Sequence, residues 1–213
     1  MKDIAAIIFD LDGTLIDSVF DLAISVNHTL ARLGSAERSV EEIRSFVGDG
    51  VQKLIARSLG DGDPELRDKG LRIFMQHYGA HLLDHTVLYD GVVDTLQALA
   101  DDYRLAVLTN KSEGFTRKIL HGLGVARYFV PIIGGDTLAV KKPDPAAIFL
   151  LAEEWNIPPA RLLMVGDHVT DIQVGINAGC RTVFLANGLG ETRGLTPDVV
   201  LQNIGELPGL LSS

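Results

Sequence analysis

Four short segments of this chain are apolar on both faces, and that pattern restricts its possible folds more than any other feature. They are Ile4 to Phe9, Leu105 to Leu108, Leu162 to Val165 and Val183 to Ala186, all rich in branched side chains. A strand with one wet face alternates apolar and polar residues, whereas an unbroken apolar run suits a strand covered on both sides, as in a parallel sheet. Between these runs the spacing predicts helices over Gly91 to Ala100 (Val92, Val93, Leu96, Leu99), Ser112 to His121, and Pro145 to Glu154 (Ile148, Leu151, Ala152). Strand and helix in alternation predict an α/β fold with a doubly wound parallel sheet. From about Ile16 to about Leu83 the rhythm changes. Leu22, Val26, Leu30 and Leu33, then Val51, Leu54, Ile55 and Leu59, keep a helical period, and no strand-like run intervenes. The expected organisation is a core of residues 1–15 and 84–213 with an all-helical unit, residues 16–83, inserted after the first strand. Gly48-Asp49-Gly50 and Gly60-Asp61-Gly62-Asp63-Pro64 mark turns between its helices.

Composition removes several function classes. A chain of 213 residues with 46% hydrophobic side chains can bury one full core and a smaller satellite. Its net charge of -9 argues against binding to a phosphate backbone, so no nucleic-acid partner is expected. The single cysteine, Cys180, has no partner for an internal disulfide and reads as a small buried side chain. No run of 18 apolar residues exists to span a membrane, and Ile4 to Phe9 is shorter than an export signal's core, which leads to the expectation of a cytoplasmic protein. The chain has no phosphate-binding P-loop, and Gly188-Leu189-Gly190 lacks the rest of a dinucleotide fingerprint. His77, His81 and His85 recur every four residues and could line one helical face. They read more simply as a solvated or insertion-facing stripe than as metal ligands.

Polar clusters follow three of the four apolar runs: Asp10-Leu11-Asp12-Gly13-Thr14, Thr109-Asn110, and Gly166-Asp167 with Asp171 four residues on. Ligands of open parallel sheets sit beyond the carboxyl ends of the strands, so these clusters are expected to converge on one crevice. Any one of them alone could be a helix cap or turn; three at one edge favour a site. Asp10 and Asp12, two apart, would start on the same face of an extended chain, and crowded carboxylates invite a divalent cation. With Asp167 and Asp171 they could form an all-oxygen set of four, which suits a hard ion such as Mg2+ better than zinc. An acidic cluster repels a phosphate dianion, so a protein cation is also needed, and Lys142, ahead of Pro143, is the candidate.

These residues resemble the haloacid dehalogenase superfamily. Its phosphatases carry Asp-x-Asp-Gly-Thr after the first strand, Thr or Ser after the second, a Lys before Pro, and Gly-Asp-x-x-x-Asp. The chain has the counterparts in that order, at Asp10 to Thr14, Thr109-Asn110, Lys142-Pro143 and Gly166 to Asp171. The resemblance implies a Rossmann-like core, a helical cap domain over residues 16–83, and a Mg2+-dependent phosphatase acting on a small-molecule phosphate ester through an aspartyl-phosphate. By the same resemblance Asp10 is the nucleophile and a metal ligand, and Asp12 the general acid and base, giving its backbone carbonyl to the metal. Thr109 and Lys142 hold the phosphoryl oxygens, with backbone N–H groups at Leu11 and Asn110. Asp167 binds Mg2+ and Asp171 supports the metal. Asp12 is expected to hold a proton because the charge of Asp10 crowds it. His168 and Thr170 stand where other small or polar residues are common in the family.

Phe46 to Val51, with Leu54 and Arg57, looks like the cap segment of phosphoglycolate phosphatases, whose Gly-rich turn faces the active site. On that likeness Gly48 would touch substrate, and Lys53 and Arg57 could meet a substrate carboxylate. They could equally be surface charges, and the turn a plain helix connection. A pyrophosphatase, a sugar-phosphate or nucleotide phosphatase and a phosphosugar mutase stay open as alternatives, with a non-catalytic binding protein more distant. Asp12, the acid that a phosphoryl leaving group needs, disfavours a dehalogenase. Oligomeric state is not legible.

Overall fold

The computed structural model describes residues 1, 3–60 and 63–212. In chain order, strand β1 (Ala6–Phe9) is followed by β2 (Ile16–Asp17), helices α1 (Val19–Arg32), α2 (Val40–Phe46), α3 (Val51–Leu59) and α4 (Pro64–Ala80), and the short strand β3 (Val87–Leu88). The chain continues through α5 (Val92–Leu99), β4 (Arg104–Leu108), α6 (Glu113–Gly122), β5 (Ile132–Ile133), α7 (Ala146–Trp155), β6 (Leu162–Gly166), α8 (Val169–Ala178), β7 (Arg181–Leu185), β8 (Val199–Leu201) and α9 (Leu207–Leu211).

The main sheet has the order β5-β4-β1-β6-β7-β8 with every pairing parallel. The four apolar runs are its four central strands. Alternate residues of the first three runs enter different cores: Ile7, Phe9, Leu105, Val107, Leu163 and Val165 lie in one cluster, joined by Val183 and Leu185 of the fourth, and Ala6, Ile8, Ala106, Leu108 and Met164 in the other. Both faces are therefore dry, as the composition of the runs requires. The edge strands β5 and β8 have only two and three residues, too short to leave a pattern in the sequence.

Between β1 and α5 lie the four helices α1 to α4 and, among the described residues, no strand but the ribbon in which β2 and β3 pair antiparallel, Ile16 opposite Leu88 and Asp17 opposite Val87. The ribbon joins the outgoing chain to the returning one. Beside it, Asp21 in the first turn of α1 is 1% exposed and accepts hydrogen bonds from the Thr86 N–H and hydroxyl at 2.8 and 2.7 Å and from the His85 N–H at 3.0 Å. These donors outweigh the burial that opposes its charge and hold the Asp21 carboxyl below the usual carboxylate range. Helix α2 opens with a capping box, Ser39 accepting from Glu42 N–H and Glu42 from Ser39 N–H, and Asp63 caps α4 just before Pro64. The Gly48 to Gly50 turn joins α2 to α3. Of the second expected turn, Asp61 and Gly62 lie outside the described residues.

Candidate active site

The register of the sheet sets Phe9 beside both Val107 and Val165. Asp10, Thr109 and Asp167 therefore leave three adjacent strands within a residue of one another, at the carboxyl edge. Strand order reverses at β1, the place where open α/β sheets form their crevice. Asp10 is 4% exposed, Thr109 2%, Lys142 3% and Asp167 1%.

Asp10, Asp167 and Asp171 bring one carboxylate oxygen each to within 4.8 Å of one another, the one such group of possible metal ligands among the described residues. Lys142 Nζ lies 3.0 Å from Asp10 Oδ1 and donates to Asp171 Oδ1 at 2.5 Å, and the Leu11 N–H donates to Asp10 Oδ1 at 2.7 Å. Asp167 accepts from the Thr14 hydroxyl at 2.8 Å through Oδ1, and from the Leu189 and Gly190 N–H groups at 2.8 and 3.0 Å through Oδ2. Asp171 also caps α8, its Oδ2 accepting from the His168 N–H at 3.0 Å, so a cap and a site member are one residue. One ammonium does not balance three buried carboxylates. Burial pushes the Asp10 carboxyl up to about 6, with Asp171 adding to it and Lys142 opposing. Burial, Asp171 and Asp10 push Asp167 up to about 8. Surplus negative charge on an oxygen-only donor set suits a hard divalent cation.

Asp12 departs from expectation. Its carboxylate is absent from that group and accepts instead from Lys111 Nζ, at 2.7 and 2.9 Å, and from the Ser18 hydroxyl at 2.5 Å. Asp10 and Asp12 would share a face only in extended chain, but after Asp10 the backbone curls: the N–H groups of Thr14, Leu15 and Ile16 all donate to the Leu11 carbonyl. Gly13 makes this possible at φ +87°, and a Cβ there would lie 2.1 Å from Asp167 Oδ2. Crowding and burial lift the carboxyls of Asp10 and Asp167, and the Asp12 carboxylate is held by Lys111 and Ser18.

Lys111 has no signature of its own in the sequence. It directly follows Thr109-Asn110, so the strand-end rule that selected those two reaches it as well. Its side chain is 6% exposed and lies over the Tyr78 ring, 4.9 Å from the centroid. Tyr78 comes from α4 and stacks on Phe74.

The Gly48 to Gly50 turn rests on the core beside these groups. Asn110 Nδ2 donates to the Gly48 carbonyl at 2.9 Å and to the Lys142 carbonyl at 3.2 Å. Lys141 Nζ donates to the Asp49 carbonyl at 3.0 Å, so the neighbouring lysines diverge, one to the turn and one to the carboxylates. The His168 ring lies under Gly48, its Nε2 buried without a partner. Arg57 is occupied by the turn itself: its guanidinium pairs with Asp49 and donates to the Phe46 carbonyl at 3.0 Å, while Lys53 Nζ reaches Asp49 at 3.3 Å. A pocket opens between core and insertion, spanning about 560 Å³ when its mouth and the adjoining solvent are included, lined by Asp10, Asp12, Thr109, Asn110, Lys111 and Gly48 among others; Arg57 is not in its wall. The series His77, His81 and His85 lies elsewhere. His77 stacks between His28 and His81 at 4.0 and 4.4 Å, His81 bonds Asp84 and His85 bonds Asp21.

Residues 7–185 match the family model of haloacid dehalogenase-like hydrolases. The chain belongs to that family. This hydrolase is 38% identical to a phosphoglycolate phosphatase of Chromobacterium violaceum, over all of its own length and 99% of that protein. Its fold superposes on a protein of Haemophilus somnus described as a predicted phosphoglycolate phosphatase, with a TM-score of 0.92, 30% identity and 99% of each chain covered. The CbbY protein of Rhodobacter sphaeroides, crystallised with phosphate, gives 0.80 at 28% identity, over 96% of each chain. No helix among the described residues is long and apolar enough to cross a membrane.

Proposed function

We propose that this hydrolase is a phosphatase that takes the phosphoryl group of a small-molecule monoester onto Asp10 and passes it to water, with 2-phosphoglycolate the leading substrate. The observation that carries the reading is Asp10 itself: a pocket-lining carboxylate at the switch strand, with Oδ1 held by the Leu11 N–H and Lys142. Full-length likeness to phosphoglycolate phosphatases supports the substrate class. Cytoplasmic location fits this chemistry.

Asp10 attacks phosphorus. Lys142, the Thr109 hydroxyl and the N–H groups of Leu11 and Asn110 hold the phosphoryl oxygens, and Asp12 gives a proton to the leaving alkoxide, then takes one from the attacking water. Monoester hydrolysis can require acceleration of up to about 10²¹, roughly 28 kcal/mol, and one general acid supplies only about 10² to 10⁴. Splitting the reaction at Asp10 and offsetting charge on the equatorial oxygens must supply the rest. Asp10, Asp167, Asp171 and the Asp12 backbone carbonyl would hold Mg2+, which when bound neutralises negative charge on the phosphoryl group. Residues 16–83 act as a cap whose Gly48 turn, docked on Asn110 and Lys141, closes the pocket against water.

Phosphate release from a panel of esters tests this. Turnover is expected with Mg2+, and loss of it in excess chelator or when Ca2+, with its longer and more numerous bonds, replaces Mg2+. Full turnover in chelator, or no release from any monoester, contradicts the reading.

A further inference from the structure

Beyond the two carboxylates the pocket wall comes mostly from the insertion, which apart from Tyr78 gives it apolar side chains such as Leu22, Val51, Leu54 and Phe74; the core adds Phe115 of α6 and the polar Thr109, Asn110, Lys111 and Ser112. Lys111 is the one cation in that wall among the described residues, since Lys53 and Arg57 are drawn onto Asp49 and Lys141 onto its carbonyl. Two of the three ammonium protons of Lys111 go to Asp12, leaving one. Tyr78 adds a hydroxyl. The residue is 2% exposed and lines the pocket, and its buried oxygen, beside the Lys111 ammonium, has no acceptor for its own proton. Burial pushes its phenol up to about 12, so it stays a donor.

We propose that Lys111 and the Tyr78 hydroxyl form a subsite for the anionic end of the leaving group, selecting a short ester that carries a carboxylate. This rests on the phosphatase reading, in which Asp12 stands at the leaving oxygen. Lys111 Nζ is within 2.9 Å of both Asp12 oxygens, so a carboxylate one carbon beyond the leaving oxygen comes within its reach. A carboxylate also gives the Tyr78 hydroxyl the acceptor it lacks. A polyhydroxyl leaving group would bury its hydroxyls unpaired against the aliphatic and phenyl walls, and an alkyl group would leave Tyr78 unsatisfied.

The test compares kcat/KM for 2-phosphoglycolate and for ethyl phosphate, its two-carbon analogue without the carboxylate, in the wild type, Lys111→Met and Tyr78→Phe. The wild type is expected to prefer 2-phosphoglycolate. Lys111→Met is expected to reduce that preference on the order of 10- to 100-fold and, because Lys111 also pairs with Asp12, to lower turnover of both esters; Tyr78→Phe is expected to reduce the preference about 3- to 10-fold, mostly through KM, and circular dichroism of both variants checks folding. Tyr78→Phe leaves the ring packing in place and decides the matter if Lys111→Met does not fold. Equal losses on both esters would make Lys111 a support for Asp12 alone and overturn the subsite. A wild type active on both esters without preference overturns the subsite and leaves the phosphatase intact; one inactive on all monoesters overturns both.

Discussion

Two of the site's acidic groups, Asp10 and Asp167, have proton affinities raised by burial, to about 6 and about 8, and this sets a pH dependence. The folded chain keeps protons on them at pH values where an unfolded chain has released them. Their contribution therefore favours the metal-free fold in acid and is lost as pH climbs toward 6 for Asp10 and 8 for Asp167. A divalent cation competes with the same protons. Calorimetric Mg2+ affinity is expected to rise between pH 6 and 8.5, by about tenfold per pH unit where one proton is displaced, with proton release and a growing Mg2+-induced rise in Tm. An affinity flat across that range contradicts the assignment. Asp12 stands apart, bonded to Lys111 and Ser18. Asp12→Asn is expected to lower alkyl phosphate turnover by about 10² to 10⁴ while Mg2+ binding stays within a few-fold, because the proposed metal contact of residue 12 is its backbone carbonyl. An aryl phosphate, whose leaving group needs little proton help, should still phosphorylate Asp10. Equal loss on aryl and alkyl esters would show that Asp12 is not chiefly an acid and base.

The strands that deliver these residues were legible because a strand dry on both faces needs an unbroken apolar run, and β1, β4, β6 and β7 each have one. The small β2–β3 ribbon was not, since two residues make no period. The α2–α3 turn was visible as Gly48-Asp49-Gly50, but not what it rests on, because docking on Asn110, Lys141 and His168 depends on how the insertion lies over the core. Arg57 shows the same gap: its four-residue spacing from Lys53 gives a helical face, and only the fold assigns both to Asp49. The turn's role can be isolated. Gly48 has φ +113°, and a Cβ would meet the His168 ring at 2.7 Å; Gly34, at φ +71°, has nothing within 4 Å. Gly34→Ala is expected to cost about 1–2 kcal/mol of stability and leave catalysis alone. Gly48→Ala carries more strain, because φ +113° lies outside the left-handed well that Gly34 borders, and it also lifts the turn, so kcat/KM is expected to fall roughly tenfold or more with Mg2+ affinity unchanged. Equal kinetics for the two variants would remove the turn from catalysis.

Across the whole molecule, the sheet order places residues from positions 10 to 171 on one edge, and the insertion provides the opposite wall of the pocket. That convergence was legible from three polar clusters following three buried runs. The separation of Asp12 from the other carboxylates was not, because it arises from the curl around the Leu11 carbonyl, and neither was the ion pair with Lys111 that this curl creates. The proposed hydrolysis requires Asp10 to become the phosphoryl acceptor. Rapid quenching of the full chain with Mg2+ and an aryl phosphate, followed by mass spectrometry of the peptide that contains Asp10, measures this directly. One phosphoryl group on Asp10, formed within the first turnover alongside a matching burst of aryl alcohol and absent from Asp10→Asn, is the expected result. Turnover by Asp10→Asn at the wild-type rate, with no phosphoryl group on Asp10 in the wild type, would contradict it.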